Sequence, residues 1–208
     1  MVGIITSCIA TIFACIWVAV HPNIPGPNQS WASRQFESCK VLVVTLLVPE
    51  WVLAWAVRQF LQARHYGKIL ERARAEADAN AAQLAGTWTT SHGFLAIMGG
   101  FYYYRNGKPM FPLQVCVVGQ LDHYEDQSHH ILKLVQSRSL VPPTSDELGD
   151  KSKSDALSKT IAVLQTLWFV AQCIARRIGN LAITNLEIMT LAYTVITVAM
   201  YAAWWHKP

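Results

Sequence analysis

"LLVPEWVLAWAVRQF", residues 46–60, reads as apolar helix interrupted by Pro49 and Glu50. Proline has no N–H to offer the carbonyl of Thr45, so a helix running through it kinks there. The glutamate is harder to place. At about 1.5 Å per residue, Glu50 lies roughly 13 Å beyond Val41, near the middle of a hydrocarbon layer about 30 Å thick. An acid at that depth costs about 2.5–3.5 kcal/mol on insertion scales. It is therefore expected to turn away from lipid and toward other helices.

The composition supports a membrane setting. Of 208 residues, 52% are apolar and 14% charged, where a soluble domain carries about 25% charged residues. A helix needs about 20 apolar residues to cross. Four blocks approach that: 2–20, 41–61, 160–175 extended back through Lys159, and 186–205. The last ends in Trp204 and Trp205, with His206 and Lys207 behind them, as at a membrane interface. The first block lacks a basic leading region and its uncharged run is long for a signal peptide, so a retained helix is expected over a cleaved leader. The expectation is an all-α membrane protein: a four-transmembrane-helix bundle with a cytosolic helical extension and a small hairpin insertion. Residues 1–62 form the first transmembrane hairpin, 63–154 a cytosolic or interfacial segment, and 155–208 the second hairpin.

Basic residues near the spans set the orientation. Arg64, Lys68, Arg72, Arg74, Lys151, Lys153 and Lys159 outnumber Arg34, Lys40, Arg176 and Arg177. Both termini and the central segment are thus expected in the cytosol, in the endoplasmic reticulum or another endomembrane. The sequon Asn28-Gln29-Ser30 then falls in the lumen. The net charge of +4 sits mostly beside the spans and does not suggest nucleic acid as a partner.

Between the spans, "HPNIPGPNQS" is a turn rich in proline. The alanine-rich, charged run after residue 62 continues as helix, with Gly86 a fitting stop. "GFYYYRNGKPMFPL" reads as a β-hairpin turning at Asn106-Gly107. Residues 86–101 are apolar but short, and are expected at the membrane surface or tucked against the bundle. Thr144 and Glu147 have capping-box spacing. His123, Asp126 and His130 share a helical face, but nothing else in the sequence supports a metal site. The five cysteines form no CxxC pair and no metal spacing, and Cys8, Cys15 and Cys173 read as buried thiols. No cofactor fingerprint is present.

Polar side chains recur at helical spacing inside the spans: Ser7 and Thr11; Gln165, Trp168, Gln172 and Arg176; Glu187, Thr190, Thr194, Thr197 and Tyr201. Such stripes hold membrane helices together, or else line a polar cavity. Thr184 and Glu187 form a capping-box pattern at the head of the last span. Depth matching puts Glu50 in one layer with Thr11, Gln165 and Thr194.

Five stretches together, "ATIFACIWVAVHPNIPGP", "VPEWVLAWAVRQ", "WTTSHGFLAIMGGF", "DKSKSDALSKTIAVLQTLWFVAQCIARRI" and "TNLEIMTLAYTVITVAMYAAWWHKP", resemble a large group of predicted integral membrane proteins from fungi. The resemblance implies a fungal endomembrane protein and no assigned chemistry. Two functional readings stand. One is a membrane-embedded, non-redox acid–base tailoring enzyme or cyclase of secondary metabolism, acting on a lipophilic small molecule. In it Glu50 exchanges a proton and Gln165 or His92 orients the substrate. The other is a non-enzymatic scaffold, or a transporter or assembly subunit. Both place the chain in a lipid bilayer, and neither fixes an oligomeric state.

Overall fold

Seven helices and one strand pair make up the described residues: α1 (Val2–Ala19), α2 (Trp31–Leu47), α3 (Pro49–Asp78), α4 (Thr90–Ile97), β1 (Tyr102–Arg105), β2 (Lys108–Pro112), α5 (Ile131–Gln136), α6 (Lys153–Ile178) and α7 (Asn185–Ala203). This structure, a computed structural model, describes residues 2–20, 23, 24, 26, 29–78, 87–113, 115, 131–140, 142–144 and 153–207. The Asn28 sequon, the His123–Asp126–His130 group, Cys116 and the Glu147 end of the Thr144 capping pattern lie outside the described residues. The chain forms two units. The first holds Met1–Pro22, Trp31–Val57 and Ser152–Trp205; the second holds Asn23–Ser30, Arg58–Lys151 and His206–Pro208.

In the first unit α1, α6 and α7 pack on one another. Ile4, Leu186 and Leu191 close around Cys8, Phe169 and Cys173. Further along, Cys15 and Ala19 meet Thr197 and Tyr201. Low numbers of α1 thus meet low numbers of α7, and high meet high: the two helices run parallel, with α6 antiparallel to both. Residues Thr160–Ile178 and Asn185–Ala203 are long and apolar enough to cross a membrane, with mean hydropathies of 1.3 and 1.5. Their outward faces carry Ile161, Leu164, Leu167, Trp168, Ile188 and Val195, all exposed. The apolar part of α1, Gly3–Ala19, is shorter.

Two expectations are corrected here. First, residues 41–61 are not one continuous span. The chain breaks at Val48 and turns by 117° between α2 and α3. The last α2 bond is Val48 N–H to the Val44 carbonyl, at 2.8 Å. Pro49 has no N–H for the Thr45 carbonyl, and the following carbonyl, of Leu46, accepts the Tyr193 hydroxyl. The kink read from Pro49 is present, but as a reversal rather than a bend. Second, helices that cross a membrane in parallel start on the same face. α1 and α7 run parallel here, whereas the first and last spans of an alternating four-span bundle run antiparallel.

The second unit has an ordinary apolar core, in which Leu70, Trp88, Phe101, Leu113, Ile131 and Val135 are buried. Its hairpin pairs β1 and β2 antiparallel, with Asn106 and Gly107 at φ 53° and 75°, as the Asn-Gly pair requires. In the segment expected at the membrane surface or tucked against the bundle, His92, Gly93, Phe94 and Ala96 of α4 are buried. Close packing on α3 makes this possible, since a Cβ on Gly93 would stand 2.0 Å from the Ala63 carbonyl oxygen. The first loop and the chain's end also belong to this unit. Gln59 Nε2 donates to Asn23 Oδ1 at 3.2 Å, and Lys207 Nζ donates to Gln59 Oε1 at 3.3 Å. The first loop thus keeps company with the central segment, from which the charge reading had separated it.

Candidate functional site

The polar residues of the first unit form a ladder between α1 and α6. Ser7 Oγ donates to Gln172 Oε1 at 3.1 Å, and Gln165 Nε2 donates to Thr11 Oγ1 at 3.1 Å. Cys15 Sγ and Thr166 Oγ1 lie 3.1 Å apart. Each rung satisfies two groups that lipid cannot, though such bonds average only about 0.6 kcal/mol between membrane helices. The threonine stripe of α7 behaves otherwise. Thr190, Thr194 and Thr197 donate to the carbonyls of Leu186, Thr190 and Tyr193 on their own helix, at 2.8, 2.9 and 2.9 Å. Their hydroxyls are spent locally, and the stripe serves as a small, buried packing face.

One end of this ladder opens into a polar cleft of about 310 Å³, lined by Ser7, Gln172, Arg176 and Glu187 with Ile4 and Phe169. Glu187 is buried here. Its Oε2 accepts the Thr184 N–H at 2.8 Å and the Thr184 hydroxyl at 2.9 Å. Thr184 Oγ1 accepts the Glu187 N–H at 3.3 Å, closing the capping box read from the sequence. Glu187 Oε1 stands 3.3 Å from Arg176 Nε. Arg176 also donates to the Ala182 carbonyl at 3.2 Å, fastening the turn between α6 and α7. This ion pair was not read from the sequence: the capping signal names Glu187, but only the fold brings Arg176 to it.

The other end is an apolar groove of about 300 Å³ between α1, α6 and α7. Small residues, Ala19 and Ala162, leave the space, Val18, Leu167 and Val198 wall it, and Thr166, Thr197 and Tyr201 supply its few polar atoms. With the Cys15 thiol, these are the polar groups of an otherwise aliphatic lining.

The three residues singled out from the sequence do not converge in either unit. Gln165 stands on the ladder with Thr11 as expected. Glu50 does not join them: it is exposed on the first turn of α3. The reversal at Val48 starts a new helix at Pro49, which changes the face on which Glu50 emerges. The inward layer of Glu50, Thr11, Gln165 and Thr194 is thus assembled only in its Thr11–Gln165 part. His92 lies in the second unit, 1% exposed. Its Nδ1 accepts the Thr89 N–H at 3.0 Å, which leaves Nε2 to donate to the Pro143 carbonyl at 2.9 Å. Both ring nitrogens serve the fold, as a helix cap and a strut.

Beside His92, Glu71 accepts from Arg74 at 2.6 Å and from the Trp88 N–H at 2.8 Å. The Arg74 guanidinium holds the Glu71 carboxyl below its ordinary range; burial opposes this, and the Trp88 N–H assists it. Among the described residues, no three His, Cys, Asp or Glu side chains are grouped so as to hold a metal ion.

The chain belongs to a family of unknown function, DUF8562, whose model matches residues 1–208. No curated protein matches it, and no solved structure does.

Proposed function

We propose that this member of DUF8562 is a small multi-pass endomembrane protein that holds a lipophilic small molecule in the groove between α1, α6 and α7. The observation that carries this reading is the groove itself: about 300 Å³ of apolar space beside residues 160–178 and 185–203, the most membrane-like helices of the chain. α1 is taken as a third crossing, because its parallel packing along α7 gives it the same depth. The bent α2–α3 pair completes the four-part bundle. The resemblance to fungal membrane proteins supports a fungal endomembrane, such as the endoplasmic reticulum, and a role in secondary metabolism.

Binding is better supported than catalysis. The groove's polar atoms are hydroxyls and a thiol, and the buried carboxylate of Glu187 lies at the opposite end, committed to Thr184 and Arg176. Ser7 and Cys15 mark the two ends, eight residues apart or about 12 Å along α1. A non-redox tailoring or cyclisation reaction would place the substrate's reacting atoms near Thr166, next in sequence to Gln165 of the ladder. The non-enzymatic scaffold reading draws support from the threonine stripe, whose hydroxyls are turned to backbone rather than to a cavity.

The test is to fill the groove. Ala162→Trp should abolish photo-crosslinking by a diazirine-bearing lipophilic probe while the variant still accumulates in the membrane. Undiminished labelling at the same peptides would overturn the binding reading. A deletion strain with an unchanged lipophilic metabolite profile would remove the metabolic role.

A further inference from the structure

Resting on the reading of α1, α6 and α7 as crossings, we infer that α2 and α3 form a re-entrant hairpin. It enters from the face at which α1 and α7 end, reaches about half depth among the acyl chains of one leaflet, and returns to that face.

Contacts along α7 mark the depth. Tyr193 is the ninth of the 19 residues of α7, and its hydroxyl donates to the Leu46 carbonyl at the hairpin's tip. Trp204 caps the far end of α7, and Trp55 of α3 packs edge-on against it, with ring centroids 5.4 Å apart. From the break at Val48, Trp55 lies seven residues along α3, about 10 Å, and Tyr193 to Trp204 is eleven, about 16 Å. Therefore α3 climbs from the middle of α7 to its C-terminal end. The other arm packs on α1, whose Ala19 lines the groove with Thr197 and Tyr201 of α7. Both arms open on one face.

Arm length and charge agree. Lys40 and Arg58 bracket a run, Val41 to Val57, that contains one ionisable side chain, Glu50. Divided at Val48, it gives arms of seven and nine residues, about 10 and 13 Å, close to one leaflet of a layer about 30 Å thick. Near the tip Val43, Leu47 and Trp51 are 50%, 72% and 66% exposed, a surface for acyl chains. The broken backbone is tolerable at that depth because protein satisfies it: the Leu46 carbonyl has Tyr193. The second unit gives an independent reason. Asn23 precedes the hairpin, Gln59 follows its apolar arm and Lys207 follows α7, and the three are hydrogen-bonded in series. A full crossing by residues 41–61 would put Asn23 and Gln59 on opposite sides.

The inference makes three crossings, with the N-terminus facing away from the central segment and the C-terminus. The Asn28 sequon then shares the side of the basic central segment, and an oligosaccharide is not expected on it. Single cysteines test this in sealed, oriented microsomes, in a chain lacking the native cysteines, with a membrane-impermeant maleimide before and after detergent. Gln29→Cys and Arg105→Cys should label together, and Gly3→Cys and Leu181→Cys should label only from the other side. Gln29→Cys behaving like Leu181→Cys would overturn the hairpin. Leu181→Cys behaving like Arg105→Cys would instead overturn the crossings by α6 and α7, and Gly3→Cys doing so would overturn the crossing by α1. Protease protection of terminal tags on the native chain guards against misfolding of the cysteine-free background. The tags should be cut from opposite sides, and cleavage of both from one side would overturn the three-crossing topology.

Discussion

The two units of this chain treat apolar side chains in opposite ways. In the second, Leu70, Phe94 and Ile131 are buried with no exposed surface, while the hairpin turn and the outer face of α3 are polar. In the first, Leu164, Leu167 and Trp168 of α6 are 60%, 60% and 62% exposed, while Ser7 bonds to Gln172 and Gln165 to Thr11 between helices. The second unit is organised against water. The first is organised against a solvent with no hydrogen bonds to give, where its polar atoms must find protein. The contrast locates the lipid-facing part of the chain without reference to any relative.

Substitutions that treat the units alike would break this comparison. The largest effect is expected at Gly93. A Cβ there meets the Ala63 backbone oxygen at 2.0 Å, and backbone cannot yield as a side chain can. Gly93→Ala should cost about 3 kcal/mol or more, at the upper end of overpacking effects. Limited proteolysis should then cut within residues 58–113 first. Intact resistance there would mean that α3 and α4 do not pack as closely as described.

Lys207 is expected next. Burial pushes its amine down to about 7, whereas an unfolded lysine titrates near 10.4. The folded form therefore prefers the neutral amine. Between about pH 7 and 10 the unfolded chain holds a proton that the folded chain does not, so stability rises with pH there and levels off below 7. Lys207→Met should flatten that rise and stabilise the second unit at neutral pH, by about 2 kcal/mol if the tail relaxes partly. Thermal unfolding at pH 7 and 9.5 checks it, and an unchanged slope would mean the amine already reaches solvent.

Smaller still is the capping box. Thr184→Ala removes the side-chain acceptor of the Glu187 N–H and one donor to its carboxylate, for about 1 kcal/mol. Arg176→Ala should weaken the same turn, and a double-mutant cycle with Glu187→Gln should give a coupling of about 1 kcal/mol or less, because Arg176 is partly solvated. A coupling near zero would make the pair a coincidence of packing.

How much of this was legible depends on the range of the cause. The Pro49 break, the Asn106-Gly107 turn and the Thr184–Glu187 box are local, and each follows from a few adjacent residues. Residues 160–178 and 185–203 are legible because hydropathy needs no partner. The reversal at Val48 is not: proline predicts a break, but Tyr193, 147 residues away from Leu46 in sequence, accompanies the angle that results. The parallel course of α1 and α7 is likewise long-range, and counting basic residues does not reach it. His92 is ambiguous in sequence for a different reason. Thr89-x-x-His92 has the spacing of a helix cap, but a histidine among apolar residues invites a chemical reading. The same apolar run, in α4, fits a buried core helix as well as an interfacial one, and periodicity alone does not separate them.

The smallest effect on stability, and the sharpest on function, is expected at Glu50. The carboxylate stands at the head of α3, where the helix dipole favours a negative charge by about 0.3–1 kcal/mol. It is also just past the hairpin tip, where hydrocarbon disfavours the charge by about 2.5–3.5 kcal/mol at full depth and less toward the headgroups. The two terms oppose each other, and Glu50→Gln removes both while keeping shape and most hydrogen-bonding capacity. Membrane accumulation should therefore equal or slightly exceed that of the parent chain. Being exposed and off the Thr11–Gln165 ladder, Glu50 touches neither the groove nor the polar cleft, whose linings do not include it. Complementation of a deletion strain by Glu50→Gln should accordingly be complete, whereas Ala162→Trp should fail. The reverse pattern, a well-folded Glu50→Gln that loses the metabolite beside a functional Ala162→Trp, would move the chemistry from the three-helix groove to the hairpin tip and restore the acid–base role that the sequence first suggested.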